Sequence, residues 1–369
     1  MITDVLILAG GSGERLWPVS DAKKPKQFMT LSDGESFLQA AIRRAVALDI
    51  PGDICIVTRK DWTTLVLADV TSLARRLGRP EILNQVLVMS EPCGKNTAPA
   101  IAWTAKYLLS LNRAESPNIL MMASDHIIKP LDAFIADART AGAHADRGNL
   151  VSFAIPPTFP STGYGYIKTG EAVHSTLEDA SASFRIDTFK EKPDAATARA
   201  YLEDGHYYWN SGIYAFRADF YLFELERLCP EAFTAFAGAG PGCTIETVDG
   251  IRVMTSYDGL DAAYERTPSI SIDYAISEKC ARSVTVRAGF LWDDVGTWDS
   301  LAKYRDDLPT STVSVNSRNC FVDSDIPVAL CGVDDLVVVI KNGKALVARK
   351  GETGHVKDAL AQMKEKGLA

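Results

Sequence analysis

The chain has 369 residues, 47% of them hydrophobic, and its 39 basic and 47 acidic side chains give a net charge of −8. This length allows one large domain or two smaller ones with a substantial core, and the hydrophobic content excludes wholesale disorder. The negative charge argues against a broad cationic face for nucleic acid, although local Lys and Arg residues can still bind phosphates.

The cysteines and the first residues predict a cytoplasmic protein without membrane attachment. Residues 1–9 lack the basic start of a secretory signal, and no apolar run approaches the roughly 20 residues that span a bilayer. The seven cysteines include no Cys-x-x-Cys pair, which argues against a disulfide scaffold and against a structural zinc site. We therefore expect free, mostly buried thiols.

Predicted strands and helices alternate through the first 150 residues. The strands are predicted at 5–9, 53–57, 82–89 and 118–124, and the helices at 36–48, 62–77, 96–111 and 131–145. Continuous apolar runs such as residues 5–9 are typical of parallel strands that are buried on both faces. The alternation predicts a Rossmann-like, doubly wound α/β sheet.

From residue 151 to about 296 the pattern is mixed. Short strands at 150–154 and 164–168 and helices at 195–203 and 220–228 are separated by loops rich in Gly, Pro and Ser. We interpret this part as an extension that makes the same sheet mixed in strand direction, rather than as a separate domain. The glycine-rich residues 230–250 are predicted to form a loop.

The last part of the chain predicts a small C-terminal β domain of residues 309–369, after a first domain of residues 1–308. Short β-type runs lie at 312–315, 320–322, 328–331, 336–340 and 345–348, and a short amphipathic helix is predicted at 356–366. Asn342-Gly343 is a strong hairpin signal. The runs show no strict repeat and do not require a solenoid. Their apolar edges predict self-association as a homodimer.

A glycine-rich segment follows the first predicted strand and consists of Gly10, Gly11, Ser12 and Gly13. Such glycines let backbone N–H groups approach phosphate oxygens, and Arg15 and Lys26 would neutralise the charge. The sequence is neither a Walker A loop, which needs Gly-Lys-Ser/Thr, nor a Rossmann fingerprint, because Leu16 replaces its third glycine. The glycines alone would equally describe a tight turn, whereas the two basic residues favour a phosphate loop.

This segment resembles the signature of the sugar-nucleotide pyrophosphorylases, and among them the guanylyltransferases that act on mannose 1-phosphate, in which Gly-Gly-x-Gly-x-Arg-Leu-Trp-Pro precedes Pro-Lys-Gln-Phe. Seven later blocks strengthen the resemblance, in the family's order: 91–101, 124–126, 162–167, 189–193, 209–212, 271–275 and 292–298. The resemblance implies a nucleotidyltransferase, GT-A-like fold. It also implies transfer of GMP from GTP to α-D-mannose 1-phosphate, giving GDP-mannose and pyrophosphate with Mg²⁺ as cofactor.

The predicted metal ligands are Asp125 and Asp294. Asp125 follows a predicted buried strand, and open α/β sheets bind ligands at that end. Mg²⁺ prefers one or two carboxylates together with phosphates and waters. The resemblance implies Asp294 as the second carboxylate, and Arg15, Lys26 and Asp125 as the catalytic residues. The alternatives are a turn or helix cap for Asp125 and a solvated loop for Asp294.

The resemblance implies sugar binding by Gly163, Glu191, Lys192 and Asn210. A carboxylate and a carboxamide together can bind adjacent hydroxyls in a fixed orientation, and Lys192 would meet the sugar phosphate. Gly163 would offer its backbone N–H to the same ring. Without the resemblance, an exposed hairpin at 190–192 and a turn at Asn210 describe these residues equally well.

Asn96 and Thr97 are the remaining predicted nucleotide-binding residues, in the loop that would contact guanine. Capping of the helix that follows is an equal alternative for them. The chain departs from the family at Asp21, Lys95, Ala123 and Ser161, which predicts altered phosphate and sugar contacts. Two other functions stay open, namely a pyrophosphorylase for another sugar phosphate and nucleotide, and a non-catalytic regulatory subunit that binds a nucleotide sugar.

Overall fold

The computed structural model describes residues 1–11, 13–21, 23–31, 34–175, 177–304 and 308–368. Ser12, a predicted phosphate contact, lies outside these described residues. The helices are α1 (Phe37–Ala47), α2 (Thr63–Leu77), α3 (Glu81–Gln85), α4 (Thr97–Ser110), α5 (Leu131–Asp146), α6 (Ala195–Asp204), α7 (Ala218–Leu228), α8 (Pro230–Ala235), α9 (Leu260–Arg266), α10 (Trp298–Ala302) and α11 (Val356–Glu365).

The strands are β1 (Asp4–Ala9), β2 (Ile54–Arg59), β3 (Val86–Glu91), β4 (Asn118–Ala123), β5 (Ile127–Lys129), β6 (Leu150–Ile155), β7 (Tyr166–Ala172), β8 (Ser183–Lys190), β9 (Tyr207–Arg217), β10 (Cys243–Val248), β11 (Ile251–Tyr257), β12 (Ser283–Arg287), β13 (Leu291–Asp293), β14 (Thr312–Val315), β15 (Phe321–Ser324), β16 (Val328–Cys331), β17 (Leu336–Lys341) and β18 (Lys344–Arg349). The chain forms two compact units. The first contains residues 1–10, 41–124 and 128–292, and the second contains residues 11–40, 125–127 and 293–369.

The first unit is built on one large sheet. Among the described residues, eleven strands follow the order β10-β11-β3-β2-β1-β4-β9-β6-β12-β8-β7. β1 pairs in parallel with β2 and β4, while β9 runs antiparallel to β4 and β6. The predicted doubly wound sheet of mixed direction is therefore confirmed, and the middle of the chain extends it as expected.

The core of the first unit follows from the apolar runs in the central strands and in α4. Val5, Leu6 and Ile7 of β1 are completely buried, as a strand covered on both faces requires. Trp103 of α4 is buried and meets Tyr257 and Tyr264 edge to face, at centroid separations of 6.1 and 6.3 Å. These contacts pack α4 against β11 and α9.

Two predictions for the first unit were wrong. The predicted strand 82–89 is divided, since α3 precedes β3, and Pro80 stands at the start of that short helix. The predicted loop 230–250 contains α8 and β10. Pro230 begins α8, which buries Ala232 and Ala235. β10 lies at the edge of the sheet with mostly exposed side chains, so its sequence lacks a clear alternation of apolar residues.

The C-terminal strands of the second unit form turns of a solenoid. β14 pairs in parallel with β16, and β15 with β17. The turns repeat every 16 residues, as in the side-chain bond from Asn319 to Asp335. Backbone positions with positive φ recur at the same spacing, at Asn316 and Gly332 and again at Asn319, Asp335 and Gly351. The prediction of no strict repeat was therefore wrong, because the repeat lies in the turn positions.

Other C-terminal predictions are confirmed. β17 and β18 pair antiparallel across Asn342-Gly343, and α11 follows as the predicted helix. The core of this unit joins the residues just after Gly13 to the solenoid, since Leu16 and Trp17 pack in one cluster with Trp298, Phe321 and Val337. The indole N–H of Trp298 donates to the carbonyl of Trp17 at 2.9 Å. The predicted boundary between residues 308 and 309 stays a prediction.

All seven cysteines are free thiols, but the prediction that most are buried was wrong. Cys55 and Cys280 are buried and two others are partly buried, whereas Cys93, Cys243 and Cys331 are exposed. Cys243 lies on the edge strand β10 and Cys331 on the solenoid strand β16, where one face meets solvent. In the described part of the chain, no helix is long and apolar enough to cross a membrane.

Candidate active site

A buried lysine is the centre of a polar cluster in the second unit. Lys26 is 4% exposed, and its ammonium group donates to Asp125 Oδ2 at 2.9 Å and to the main-chain carbonyl of Asp294. The Phe37 ring lies 5.1 Å from the ammonium nitrogen. Loss of water around Asp125 raises the pKa of its carboxyl group, but Lys26 and His126 lower that pKa by more, so it stays below the ordinary value.

This cluster lines a cavity of about 350 Å³ together with Arg15 and Gly13. Gly13 has φ +57°, and a Cβ atom there would overlap the Cβ of Lys26. Only glycine therefore fits this turn next to the lysine. The structure thus brings together four predicted residues, Arg15, Lys26, Asp125 and Asp294, in one cavity. Gly10 and Gly11 precede it in the chain.

The backbone around Asp294 is held in a conformation that its residues disfavour. Val295 has φ +47°, which is a genuine outlier for a β-branched residue. The neighbouring carboxylate of Asp293 accepts the N–H of Val295 at 2.7 Å and the hydroxyl groups of Ser300 and Tyr304 at 2.6 and 3.2 Å. The buried Asp293 carboxylate therefore stabilises the turn that presents the Asp294 carbonyl to Lys26.

The predicted sugar-binding residues lie together in the first unit. A Cβ atom on Gly165 would stand 2.5 Å from Glu191 Oε2 and 3.6 Å from Asn210 Cβ, so both side chains meet at this glycine. Lys192 binds the Glu191 carboxylate at 2.6 Å rather than standing free. The N–H of Gly163 donates to Ser161 Oγ at 3.2 Å and is thus engaged within its own loop.

Sequence reasoning missed two partners of Asn210. Its Nδ2 donates to the phenolic oxygen of Tyr214 and to Asp273 Oδ1, both at 3.0 Å, and the Tyr214 hydroxyl donates to the same Asp273 oxygen at 2.7 Å. Burial and the Asp273 charge raise the pKa of Tyr214 well above its ordinary value. The sequence contained a sign of this contact, because the motif block 271–275 includes Asp273, an acidic residue to which the sequence alone assigned no role.

A buried carboxyl group next to Gly10 was also missed. Glu91 ends β3 and is 6% exposed, and a Cβ atom on Gly10 would stand 2.9 Å from its Oε1. Burial raises the pKa of Glu91 to about 7, although a hydrogen bond from Tyr264 and the charge of Arg59 lower it. Its place at the carboxyl end of a buried strand was the signal available in the sequence.

Asn96 and Thr97 have structural partners. The Asn96 carboxamide oxygen accepts the N–H of Thr97 at 2.9 Å at the start of α4. The Thr97 hydroxyl oxygen accepts the N–H of Ile272 at 2.8 Å and so ties the loop to block 271–275. Capping is therefore present, and a nucleotide contact by either residue stays a prediction.

Comparison with known proteins places the chain in a family. Residues 4–311 match the family described as nucleotidyl transferase, and residues 310–363 match the MannoseP isomerase/GMP-like beta-helix domain. The mannose-1-phosphate guanylyltransferase of Salmonella montevideo is 37% identical over 371 residues, which cover 99% of this chain and 74% of that protein. The chain belongs to the mannose-1-phosphate guanylyltransferase family.

Further relatives agree with this family. The xanthan biosynthesis protein XanB of Xanthomonas campestris pv. campestris (strain B100) is 35% identical over 375 residues, covering 99% of this chain and 74% of that protein. The crystal structure of a Thermus thermophilus protein named mannose-1-phosphate geranyltransferase matches with a TM-score of 0.78 and 28% identity, covering 99% of this chain and all of the other. The resemblance stated from the motifs is therefore confirmed.

The cavity around Lys26 suits a divalent metal ion. Asp125 and Asp294 both line it, and Mg²⁺ is commonly held by one or two carboxylates with phosphates and waters. Among the residues that the structure describes, no group of three or more His, Cys, Asp or Glu is placed to hold a metal ion. The donor set thus fits an open site rather than a cage made of protein alone.

The departures from the family pattern have structural roles in this chain. The carboxylate of Asp21 accepts the N–H groups of Lys23 and Lys24, both at 2.8 Å. Lys95 donates to the carbonyl of Thr267 at 3.2 Å. Ser161 is buried and bonds to Gly163. Asp21 and Ser161 thus stabilise their own loops, whereas Lys95 joins its loop to the end of α9, and nothing in the structure explains Ala123.

Proposed function

We propose that the protein transfers GMP from GTP to α-D-mannose 1-phosphate and releases pyrophosphate and GDP-mannose. The observation that carries this proposal is the buried Lys26 ammonium group, held between the Asp125 carboxylate and the Asp294 carbonyl in a cavity that Arg15 also lines. A buried, fixed cation beside carboxylates is what the negative charge of phosphoryl transfer requires. Family membership supports the choice of substrates.

In the proposed reaction, an oxygen of mannose 1-phosphate forms a bond to the α-phosphorus of GTP. The bond from that phosphorus to the oxygen bridging it to the β-phosphate breaks, and its electron pair leaves with pyrophosphate. No side-chain nucleophile is needed, so Arg15 and Lys26 act by positioning the phosphates and by compensating their charge. A divalent metal ion, which we propose to be Mg²⁺ bound by Asp125 and Asp294, would supply further positive charge.

We propose that the remaining predicted residues bind the two substrates. Backbone N–H groups of residues 10–13 would meet the GTP phosphates, and Asn96 and Thr97 would lie at the nucleotide. Glu191, Lys192, Asn210 and Gly163 would bind the sugar phosphate. The meeting of Glu191 and Asn210 at Gly165 supports a shared sugar site.

Further proposals concern organisation and location. We propose a boundary near residues 308 and 309, which the two family matches ending at 311 and starting at 310 support. A cytoplasmic location is supported by the free thiols. Self-association as a homodimer is supported by the exposed apolar side chains of Val313 and Val315 on β14. A sedimentation measurement showing only monomer at micromolar concentration would contradict the dimer.

The decisive experiment measures pyrophosphate release by the purified protein with Mg²⁺, crossing GTP, ATP, UTP and dTTP with mannose 1-phosphate and glucose 1-phosphate. We expect activity confined to GTP with mannose 1-phosphate. Activity with another pair would overturn the substrates and keep the reaction type. A folded protein that binds GDP-mannose without releasing pyrophosphate from any pair would overturn the enzymatic function in favour of a regulatory subunit.

A matched pair of variants tests the role of Lys26. Lys26→Met removes the buried cation, and we expect it to lower kcat/KM by at least about a hundredfold. Lys24→Met removes an exposed lysine two residues away and should retain activity. Circular dichroism checks that both variants are folded. Equal activity of the two variants would show that the Lys26 cluster is not the reaction centre.

A further inference from the structure

We propose that Asp273 and Tyr214 fix the direction in which the Asn210 carboxamide faces, and thereby determine which hexose phosphate the protein accepts. The inference rests on the proposed function, because it takes Asn210 to bind the sugar. Asp273 and Tyr214 are then positioning residues, which act on the sugar through Asn210.

The three side chains form hydrogen bonds with one another. The Tyr214 hydroxyl gives its one hydrogen to Asp273 Oδ1 at 2.7 Å, so the phenolic oxygen is left to accept. The Asn210 Nδ2 supplies the hydrogens to that oxygen and to Asp273 Oδ1, both at 3.0 Å. Both hydrogens of the amide nitrogen are thereby used inside the protein.

These hydrogen bonds exclude the orientation in which the oxygen and the nitrogen of the Asn210 carboxamide exchange places. In the flipped orientation, the carboxamide oxygen would face the Asp273 carboxylate, and two acceptors would meet without a hydrogen between them. Asn210 is 8% exposed, so water does not relieve such a contact cheaply. In the observed orientation the Asn210 oxygen accepts only a long bond from the Gly212 N–H, at 3.4 Å, among the described residues. This oxygen is therefore the carboxamide atom that the protein engages least.

The two positioning residues lie in regular secondary structure. Tyr214 lies on β9, where it pairs with Met121 of β4 and with Ser152 of β6, and it is 1% exposed. Asp273 begins a π-helical stretch, Asp273–Ser277, of the kind often found at functional sites. Tyr214 thus reaches Asn210 from the same strand, whereas Asp273 reaches it from a helical turn that is distant in sequence.

The sugar consequently meets acceptors. The Glu191 carboxylate lies at Gly165, and the Cβ atom of Asn210 lies beside the same glycine. The carboxamide oxygen of Asn210 is the second acceptor that we propose for the sugar. Burial and the charges of Glu191 and Asp273 together raise the pKa of Glu278, so these carboxylates share one neighbourhood. An acceptor fixed in place is satisfied by a hexose that directs a hydroxyl group toward it and is left unpaired by the epimer that does not. The amide orientation is therefore a selectivity element.

The test compares Tyr214→Phe and Asp273→Asn with wild type. Asp273→Asn frees the amide to rotate, because the new carboxamide preserves the shape and can donate a hydrogen bond to the flipped oxygen. Tyr214→Phe removes one of the two acceptors that hold the Asn210 amide nitrogen and so weakens its fixed orientation. We expect the ratio of kcat/KM for mannose 1-phosphate to that for glucose 1-phosphate to fall by at least about tenfold. We also expect the KM for mannose 1-phosphate to rise about tenfold while the KM for GTP stays within about twofold.

The matched control is Tyr107→Phe, which removes a buried phenol whose oxygen accepts one hydrogen bond from Arg252 at 3.2 Å. This change lowers stability without touching Asn210, so the sugar ratio should stay at the wild-type value. If Tyr214→Phe and Asp273→Asn are both folded and keep that ratio, the inference is overturned and the proposed function stands. If wild type itself fails to use GTP with mannose 1-phosphate, the proposed function fails first.

Discussion

Glu91 gives the sharpest quantitative prediction, because its carboxyl group is buried and its pKa is raised from 4.5 to about 7. Below about pH 4.5 this group is protonated in both the folded and the unfolded chain. As pH rises above that value, the unfolded chain releases the proton while the folded chain keeps it, so folding becomes less favourable. The loss levels off above about pH 7, where the folded chain also releases the proton.

The magnitude follows from the same pKa. A tenfold change in proton affinity is worth about 1.4 kcal/mol, so the rise to about 7 costs roughly 3 kcal/mol of stability at pH 8. Glu91→Gln removes the titration and retains an oxygen that can accept the hydrogen bond from Tyr264. We therefore expect the variant to match wild type near pH 4.5 and to exceed it by roughly 3 kcal/mol at pH 8.

The assay is urea unfolding of wild type and of Glu91→Gln at several pH values between 5 and 8, with tryptophan fluorescence as the measured signal. The difference between the two free energies of unfolding isolates Glu91 from all other groups. Glu81→Gln is the control, because Glu81 is exposed and its pKa is lowered by Arg79, so its removal should not favour the variant at high pH. A Glu91→Gln difference that is constant across this pH range would refute the reasoning.

Three further variants, two of them with a matched control variant, test other parts of the site. Asp125→Asn removes the negative charge that faces Lys26, and we expect turnover to fall by at least about a hundredfold. Circular dichroism checks that the variant is folded. If the variant keeps the turnover of wild type at limiting Mg²⁺, Asp125 is not a metal ligand. Gly13→Ala and Gly205→Ala both place Cβ at positive φ, but only Gly13→Ala overlaps Lys26, so only it should abolish pyrophosphate release. Asn96→Ala and Asp194→Ala each remove a helix cap, which should cost about 1 kcal/mol of stability in thermal unfolding. Only Asn96→Ala should also raise the KM for GTP. Equal KM values for the two variants would show that Asn96 serves only as a helix cap.

The sequence was sufficient where local pattern determines structure. β1 and β4 are continuous apolar runs because both faces of a central strand are covered, and such runs are recognisable without any partner. β9 is the opposite case, since Asn210, Ser211 and Gly212 interrupt it and resemble a turn. Only its pairing with β4 and β6, which are distant in sequence, makes this segment a strand.

For the candidate site, too, the sequence predicted what local motifs determine and missed what depends on contacts between distant residues. The motifs identified Lys26, Asp125 and Asp294, and the structure brings them to one cavity. The roles of Asp273 and Asp293 depend on contacts that no spacing reveals. Asp293 and Asp294 are adjacent and chemically identical in the sequence, yet one is buried against Ser300 while the other offers its carbonyl to Lys26. Burial and orientation, which separate them, are set by tertiary packing.

The 16-residue repeat of the solenoid constrains how this part of the chain can change in length. Each strand sits one full turn from its parallel partner, as Phe321 does from Val337, and each turn position with positive φ does the same. Inserting or deleting a single residue would therefore shift every later side chain out of its stack, whereas a complete turn could be added with the ladder intact. Evolution and protein engineering can therefore lengthen this domain by complete turns of the solenoid. The length of the domain should vary in steps of one such turn.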